Sequence, residues 1–465
     1  MPLAAQASPW AEVGDQQLRS DIQILANAGV IDDITTHWPI PWAGIEGKLN
    51  DADRLNLPDY VRAAMLRVRA KLKAQIPGKF HAGAYIDATN KPDVVYGFDG
   101  LGRDKYQGQV YGEASVTSST DIRIEAGAID EGGKTKIMPD GSYLAQAIGN
   151  SAVYLGYLTH WWGPGWISAL SLSNNARPMP QIGISRLDTA PFDTPLLSWL
   201  GPWQSEFFVG VLDGPRIDRN TGYAGFRFTF NPLPGLQIGL SRTTEICGEH
   251  HTCDVGDYFN LANDNGHRNT TNDEGLIDLH YTNRLGGMPF EVYTQLMNED
   301  SNPFSHSDTS HLVGGSVWLP LDVNALRLTF EYTDSVPTLN MFGGPLEHGQ
   351  AYNNSQYLDG MRYRDRTLGF SLDSDSRLFT AQGSWIDHND FTYTLSFHHA
   401  DISTAQNKLG NVVTAAPVAI NEIEGRAEIP FNHVTFALEA RYADDQPRPS
   451  RGGEAAVEGE ISFHI

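Results

Sequence analysis

No stretch of the chain approaches the roughly 18 uninterrupted apolar residues that a membrane-crossing helix requires, which excludes a helical membrane protein. Charge is sparse, with Asp, Glu, Lys and Arg at 19% of 465 residues, and cations are sparser still: 33 Lys and Arg against 56 Asp and Glu. The formal net charge of −23 argues against nucleic acid and against anionic phosphate surfaces as partners. Cysteine is nearly missing. The two present, Cys247 and Cys253, enclose Gly-Glu-His-His-Thr, a spacing that suits one local disulfide in an oxidising compartment. A metal site recruiting His250 and His251 is not expected, because adjacent histidines point in different directions and no second ligand cluster follows. There is no Gly-x-Ser-x-Gly elbow, no His-Glu-x-x-His and no phosphate-cradling glycine loop, so neither catalytic residues nor a cofactor are expected. At the start, a basic segment and an apolar core are lacking, yet Ala5-Gln6-Ala7 has the small-x-small form of a signal-peptidase site. Residues 1–7 therefore read as the remnant of a trimmed signal peptide.

What is abundant is Gly (46), Phe (20), Tyr (18) and Trp (10), a composition suited to tight turns and aromatic girdles. Residues 8–78 differ in kind from the rest. Asp15 is placed to cap a helix running to about Ala28, with Leu18, Ile22 and Leu25 on one face and Gly29 as its stop. A second helix, from about Asp59 to Lys73, carries Val61, Met65, Val68 and Leu72 at three-to-four spacing. Its other face holds Arg62, Arg67, Arg69, Lys71 and Lys73, which reads first as a solvated face. A Pro- and Trp-containing connection, His37 to Trp42, lies between the two. Such a small helical domain needs something to pack on.

From Lys79 to Ile465 the hydrophobic period becomes 2. In Phe226-Arg227-Phe228-Thr229-Phe230 and in Ala325-Leu326-Arg327-Leu328-Thr329-Phe330-Glu331-Tyr332 one face is apolar and the other polar. That is the pattern of a wall between lipid and a wet lumen. Connections alternate between short (118–120, 231–235, 285–288, 321–324, 388–390, 430–432) and long (90–105, 131–142, 246–274, 300–310, 402–420, 444–452). Tight periplasmic turns and extended outer loops alternate in this way in outer-membrane barrels. Treating 337–376 as one long outer loop places every short turn on one side and leaves about 18 strands, with both termini periplasmic. Val457, Gly459, Ile461, Phe463 and Ile465 alternate with polar residues to the last position, as in a closing strand. The expected fold is thus mainly β: a transmembrane antiparallel β-barrel in the outer membrane of a Gram-negative bacterium, with a small periplasmic helical domain.

One segment is more specific. His160-Trp161-Trp162-Gly163-Pro164-Gly165-Trp166 is followed by Leu170-Ser171-Leu172-Ser173-Asn174-Asn175-Ala176-Arg177-Pro178. Three tryptophans around Gly-Pro-Gly make a rigid turn whose indole N–H groups need partners. Strand parity puts 159–166 near the periplasmic mouth, where a structural role, plugging the lumen or docking the helices, is expected ahead of direct ligand contact, and where the Trp199-Gly201-Pro202-Trp203 turn could pack with it. This motif, together with the opening Leu18-Arg19-Ser20-Asp21-Ile22 and Gly29-Val30-Ile31, resembles the Wzi family of capsule assembly proteins. The resemblance covers essentially the whole chain. It implies an eighteen-stranded outer-membrane barrel with a periplasmic helical domain and a lectin-like role: binding exported capsular polysaccharide and retaining it on the cell surface. Catalysis is not part of what it implies.

Glycan binding needs flat aromatic faces and planar donors. The long outer loop offers Tyr352, Tyr357, Arg362, Tyr363, Arg364 and Arg366, and arginine pairs well with uronic carboxylates. The same residues could instead fold the loop on itself. Expected partners are capsular polysaccharide, outer-membrane lipid and the barrel insertion machinery, and a monomer is expected. A porin-type channel for small solutes is the alternative.

Overall fold

The computed structural model describes residues 9–52, 55–73, 80–253, 256, 271–299, 308–341, 343–405 and 410–465. The signal remnant at 1–7 and the boundary expected at 78/79 lie outside the described residues. From Phe80 onward the chain forms a closed antiparallel barrel of 18 wall strands. Closure is made by Glu454–His464 pairing with Phe80–Thr89. Two short segments extend staves without adding to the wall. Lys134–Met138 pairs with the far end of Thr120–Glu131, whose near end pairs with Tyr143–Ile148. Gly343–Leu346 pairs with the far end of Asn324–Asn340.

The wall follows from period 2. Phe226 and Phe330 are exposed on the outside while their neighbours Arg227 and Glu331 are buried on the inside. Val110, Ile124, Val313, Leu395 and Ile461 continue the exposed apolar belt. Inside, Arg227 is paired, donating to Asp278 at 2.8 Å and to Ser241 at 2.7 Å. Short turns gather at one end, where the chain also enters and leaves the wall; Ala82 and Ile465 exchange backbone hydrogen bonds there. The segment 347–376 stays out of the wall, apart from a small hairpin of Arg362–Tyr363 against Arg366–Thr367.

The helical segment occupies the short-turn end of the lumen. Helix α1 (Gln16–Asn27) begins where Asp15 accepts the Leu18 N–H at 2.8 Å, and ends at Gly29, whose φ of 69° suits glycine. Helix α2 (Ala43–Asp51) was not anticipated by periodicity, and buries Ile45 and Leu49. Helix α3 (Asp59–Lys73) buries Val61, Ala64, Met65 and Val68 against α1. On its basic face Arg62, Lys71 and Lys73 are exposed, as a solvated face would be, and the departure is at Arg67. Arg67 clasps Asp21 through two bonds of 2.8 and 2.7 Å and reaches Asn324 on a barrel turn at 2.8 Å, while Lys71 pairs with Asp15. The physical reason is that α3 lies between α1 and the barrel turns, so Arg67 meets a carboxylate before water. The wall answers with Trp318, whose indole N–H donates to Ser20 at 2.9 Å.

Candidate functional site

The tryptophan segment leaves the wall at the outer end of Ser151–Gly156, folds into the lumen and returns to the outer end of Gln181–Arg186. It therefore reaches the lumen interior from above, not the short-turn mouth that strand parity suggested. There it meets the N-terminal segment coming from below: Trp161 and Trp162 pair as a short strand with Trp38 and His37. Trp161, Trp162 and Trp166 are all buried. Trp199 and Trp203 pack elsewhere, Trp203 stacking on Phe192 with ring centroids 4.4 Å apart.

Inward wall residues hold the segment by its backbone. The Glu331 carboxylate accepts the N–H groups of Trp166 at 2.7 Å, Ile167 at 3.3 Å and Ser168 at 2.7 Å. Gln295 accepts from Leu170 N–H and donates to the Trp162 carbonyl, both at 2.9 Å. The Trp166 indole donates to Glu291 at 2.6 Å, and Glu291 is bonded in turn to His280. Arg327 and Arg19 lie over the Trp166 ring at 3.6 and 4.2 Å from its centroid. Burial pushes the Arg19 guanidinium down to about 10, leaving it a cation at neutral pH. Gly163 and Gly165 are required by contact: an added Cβ would lie 2.6 Å from Gln295 Nε2 and 2.1 Å from the Ser168 carbonyl oxygen. Below, Arg227 and Gln237 bond Thr36, and His37 lies 3.3 Å from Glu206. Burial pushes His37 down to about 4, so its neutral ring donates from Nε2 to Glu206 and accepts from Thr229 at Nδ1.

Asn174, Asn175 and Arg177 join the segment to the outer loops. Asn174 donates to the Phe98 carbonyl, Asn175 to the Thr367 carbonyl, and Arg177 clasps Asp140 at 2.8 and 2.9 Å. Pro178, half-buried, follows directly. Cys247 and Cys253 form a disulfide in an adjoining loop.

The six loop residues singled out from the sequence fall into two sets. Tyr352, Tyr357 and Arg362 point inward. Tyr352 donates to the Leu170 carbonyl, Tyr357 stacks on His251 with centroids 4.0 Å apart, and Arg362 clasps Asp373 at 3.1 and 2.8 Å. Tyr363 is also buried, bonded to Asp213. Arg364 and Arg366 lie closer to the surface, Arg364 reaching Glu131 at 3.2 Å and Asp213 at 3.3 Å. Arg366, half-buried, donates to Asn175 at 3.1 Å. Arg103 was missed by sequence reasoning; it lies, like Arg366, 5.6 Å from the Tyr96 ring centroid and bonds the Asn174 carbonyl. The inward wall residues Glu291, Gln295 and Glu331 were also missed, although charge on the polar face of an alternating strand was the available signal.

The profile of the family described as capsule assembly protein Wzi matches residues 78–443. An uncharacterized 55.8 kDa protein of the cps region of Klebsiella pneumoniae is 27% identical over 327 residues, 67% of this chain. The chain spans 63% of that relative's length. Among solved structures, Wzi of Escherichia coli, an outer-membrane protein involved in group 1 capsule assembly and called a carbohydrate-binding β-barrel, superposes with a TM-score of 0.85. It is 20% identical, with 99% of each chain covered.

Proposed function

This chain belongs to the capsule assembly protein Wzi family, and from that membership we propose that it binds exported capsular polysaccharide and retains it on the surface of a Gram-negative cell. The barrel sits in the outer membrane, with its apolar belt in lipid, its short turns and helical segment facing the periplasm, and its long loops outside. The observation that carries the reading is the double plug. The tryptophan segment from above and the N-terminal segment around Trp38 from below meet inside the lumen, paired at Trp161 and Trp38, an arrangement suited to binding on the outer face rather than to passage.

The outer face supplies the chemistry. Arg364 and Arg366, with Arg103, are the cations offered to an acidic glycan, since guanidinium groups pair bidentately with carboxylates. Tyr352, Tyr357, Arg362 and Tyr363 act behind them, fixing the loop that presents them. The protein works as a monomer inserted by the barrel insertion machinery, and as a binder rather than an enzyme. Deleting the gene in its own host, and restoring it, tests this. Capsule should shift from the cells to the medium and return on complementation. Unchanged cell-bound capsule in the deletion strain would overturn the reading.

A further inference from the structure

Away from the tryptophan segment, the inner wall carries a second group of side chains that the plug does not use. His398 and Glu422 are direct partners across two adjacent strands, Thr392–Ile402 and Val418–Phe431. Glu424 follows two residues later and shares their face. His398 is 3% exposed and Glu422 7%. One nitrogen and two carboxylate oxygens from these three residues lie within 4.8 Å of one another. Asp93, from the outer segment 90–105, and Glu439, from the next strand, form a second trio with the same Glu424, again within 4.8 Å. Four side chains thus lie, in two trios, around the one carboxylate of Glu424.

Two observations separate this group from an ordinary acidic wall. Glu422 Oε1 is buried and has no hydrogen-bond partner among the described residues. His398 Nδ1 is held by Thr380 Oγ1 at 2.8 Å, and the opposite ring nitrogen, Nε2, faces Glu424 3.9 Å away. A histidine anchored through one nitrogen and offering the other is how imidazole ligands are oriented. Among the described residues no Lys or Arg makes an ion pair with Glu422 or Glu424: Arg426 is bonded to Asp99 and Glu428, and Arg441 to Glu458 and to Glu439 at the cluster's edge. Buried carboxylates short of a cation are costly, and a bound metal ion removes that cost.

We propose that this cluster binds one divalent first-row transition-metal ion, through His398 Nε2 and the carboxylates of Glu422 and Glu424, with Asp93, which also lies within reach of Glu424, as a further donor. The imidazole among oxygen donors favours zinc, cobalt or manganese over calcium and magnesium, which take oxygen ligands. A cavity lined by Asp93, Glu422, Arg441 and Glu454 borders the cluster and gives an ion a way in. The site is independent of glycan binding and stands whether or not that reading holds.

The test uses the full chain in detergent, stripped with chelator and titrated with cobalt(II) chloride by calorimetry and visible absorption, with zinc chloride as competitor. One saturable site per chain is expected, with cobalt bands displaced by zinc but not by calcium or magnesium. His398→Gln and Glu422→Gln should each weaken cobalt binding by at least about tenfold, and Glu422→Gln, which keeps the side chain's shape, serves even if the histidine variant folds poorly. A separate histidine–carboxylate group, His250 and His251 beside Asp218 at 3.1 and 3.4 Å, provides the control. A His250→Ala/His251→Ala variant should bind as the parent does. The proposal is overturned by absence of saturable uptake, by uptake that survives Glu422→Gln, or by uptake lost only in the His250/His251 variant.

Discussion

Glu331 on the wall holds Trp166 of the infolded segment by the main chain, its carboxylate accepting the Trp166 N–H at 2.7 Å. The same carboxylate accepts from Ser168 and from the Tyr293 hydroxyl, so one side chain fixes a turn that has no sheet partner of its own. Replacing it by alanine leaves buried amides unsatisfied, at about 1–3 kcal/mol for each such group. Glu331→Ala should lower the melting temperature in detergent and raise conductance in planar bilayers, because the upper half of the plug loses its anchor. Glu331→Gln, which keeps an acceptor, should do less. Equal behaviour of the two variants would contradict this role.

Gly369 lies where the outer loop crosses the tryptophan segment, and a Cβ there would stand 2.0 Å from the Leu170 carbonyl oxygen. Gly369→Ala should therefore destabilise the barrel by about 1–3 kcal/mol. Gly425, on a wall strand with nothing within 4 Å of its added Cβ, is the control, and Gly425→Ala should melt as the parent does.

The pairing of His37 with Glu206 carries a pH signature. Burial holds His37 down at about 4, whereas an unfolded imidazole titrates near 6.5. Between those values the unfolded chain takes up a proton that the folded chain refuses. Stability therefore falls as the pH falls from about 6.5 towards 4, and the contribution is level above that window. The full contribution is of order 3 kcal/mol. Melting temperatures measured from pH 8 to 4.5 should decline below pH 6.5, and His37→Gln should show a shallower decline. An unaltered slope in that variant would place the proton uptake elsewhere.

The loop residues should separate by assay. Arg362→Ala removes the clasp on Asp373 and should lower thermal stability by about 3–5 kcal/mol, as expected for breaking a buried ion pair. Arg364→Ala and Arg366→Ala should leave melting nearly unchanged and weaken glycan binding, with Arg103→Ala doing the same. If all four variants lose stability and binding together, the outer arginines are struts and not contacts.

The wall was legible because alternation is a local signal: Phe226 beside Arg227 and Phe330 beside Glu331 already assign outside and inside. Helix α3 was legible to the residue from Val61, Met65 and Val68. Helix α2 was not, since Gly44 and Gly47 weaken its propensity and its form depends on burying Ile45 and Leu49 against distant partners. A plugging or docking role for the tryptophan segment was legible, but its route and anchors lay further out of reach. Glu331 and Trp166 are 165 residues apart, and nothing local states that a charged inward position will meet an indole turn. In the outer loop, tyrosine and arginine read alike whether they face a sugar or each other, and only burial distinguishes Tyr352 and Arg362 from Arg364.

The most direct test of the account is calorimetric titration of the purified, folded chain with capsular polysaccharide from its own host and from an unrelated strain. Trp161, Trp162 and Trp166 are buried, which makes heat a better reporter than their fluorescence. The account predicts saturable, salt-sensitive binding to the host polysaccharide, weakened by combining Arg364→Ala with Arg366→Ala. A folded protein that releases no heat with its own capsule would contradict it.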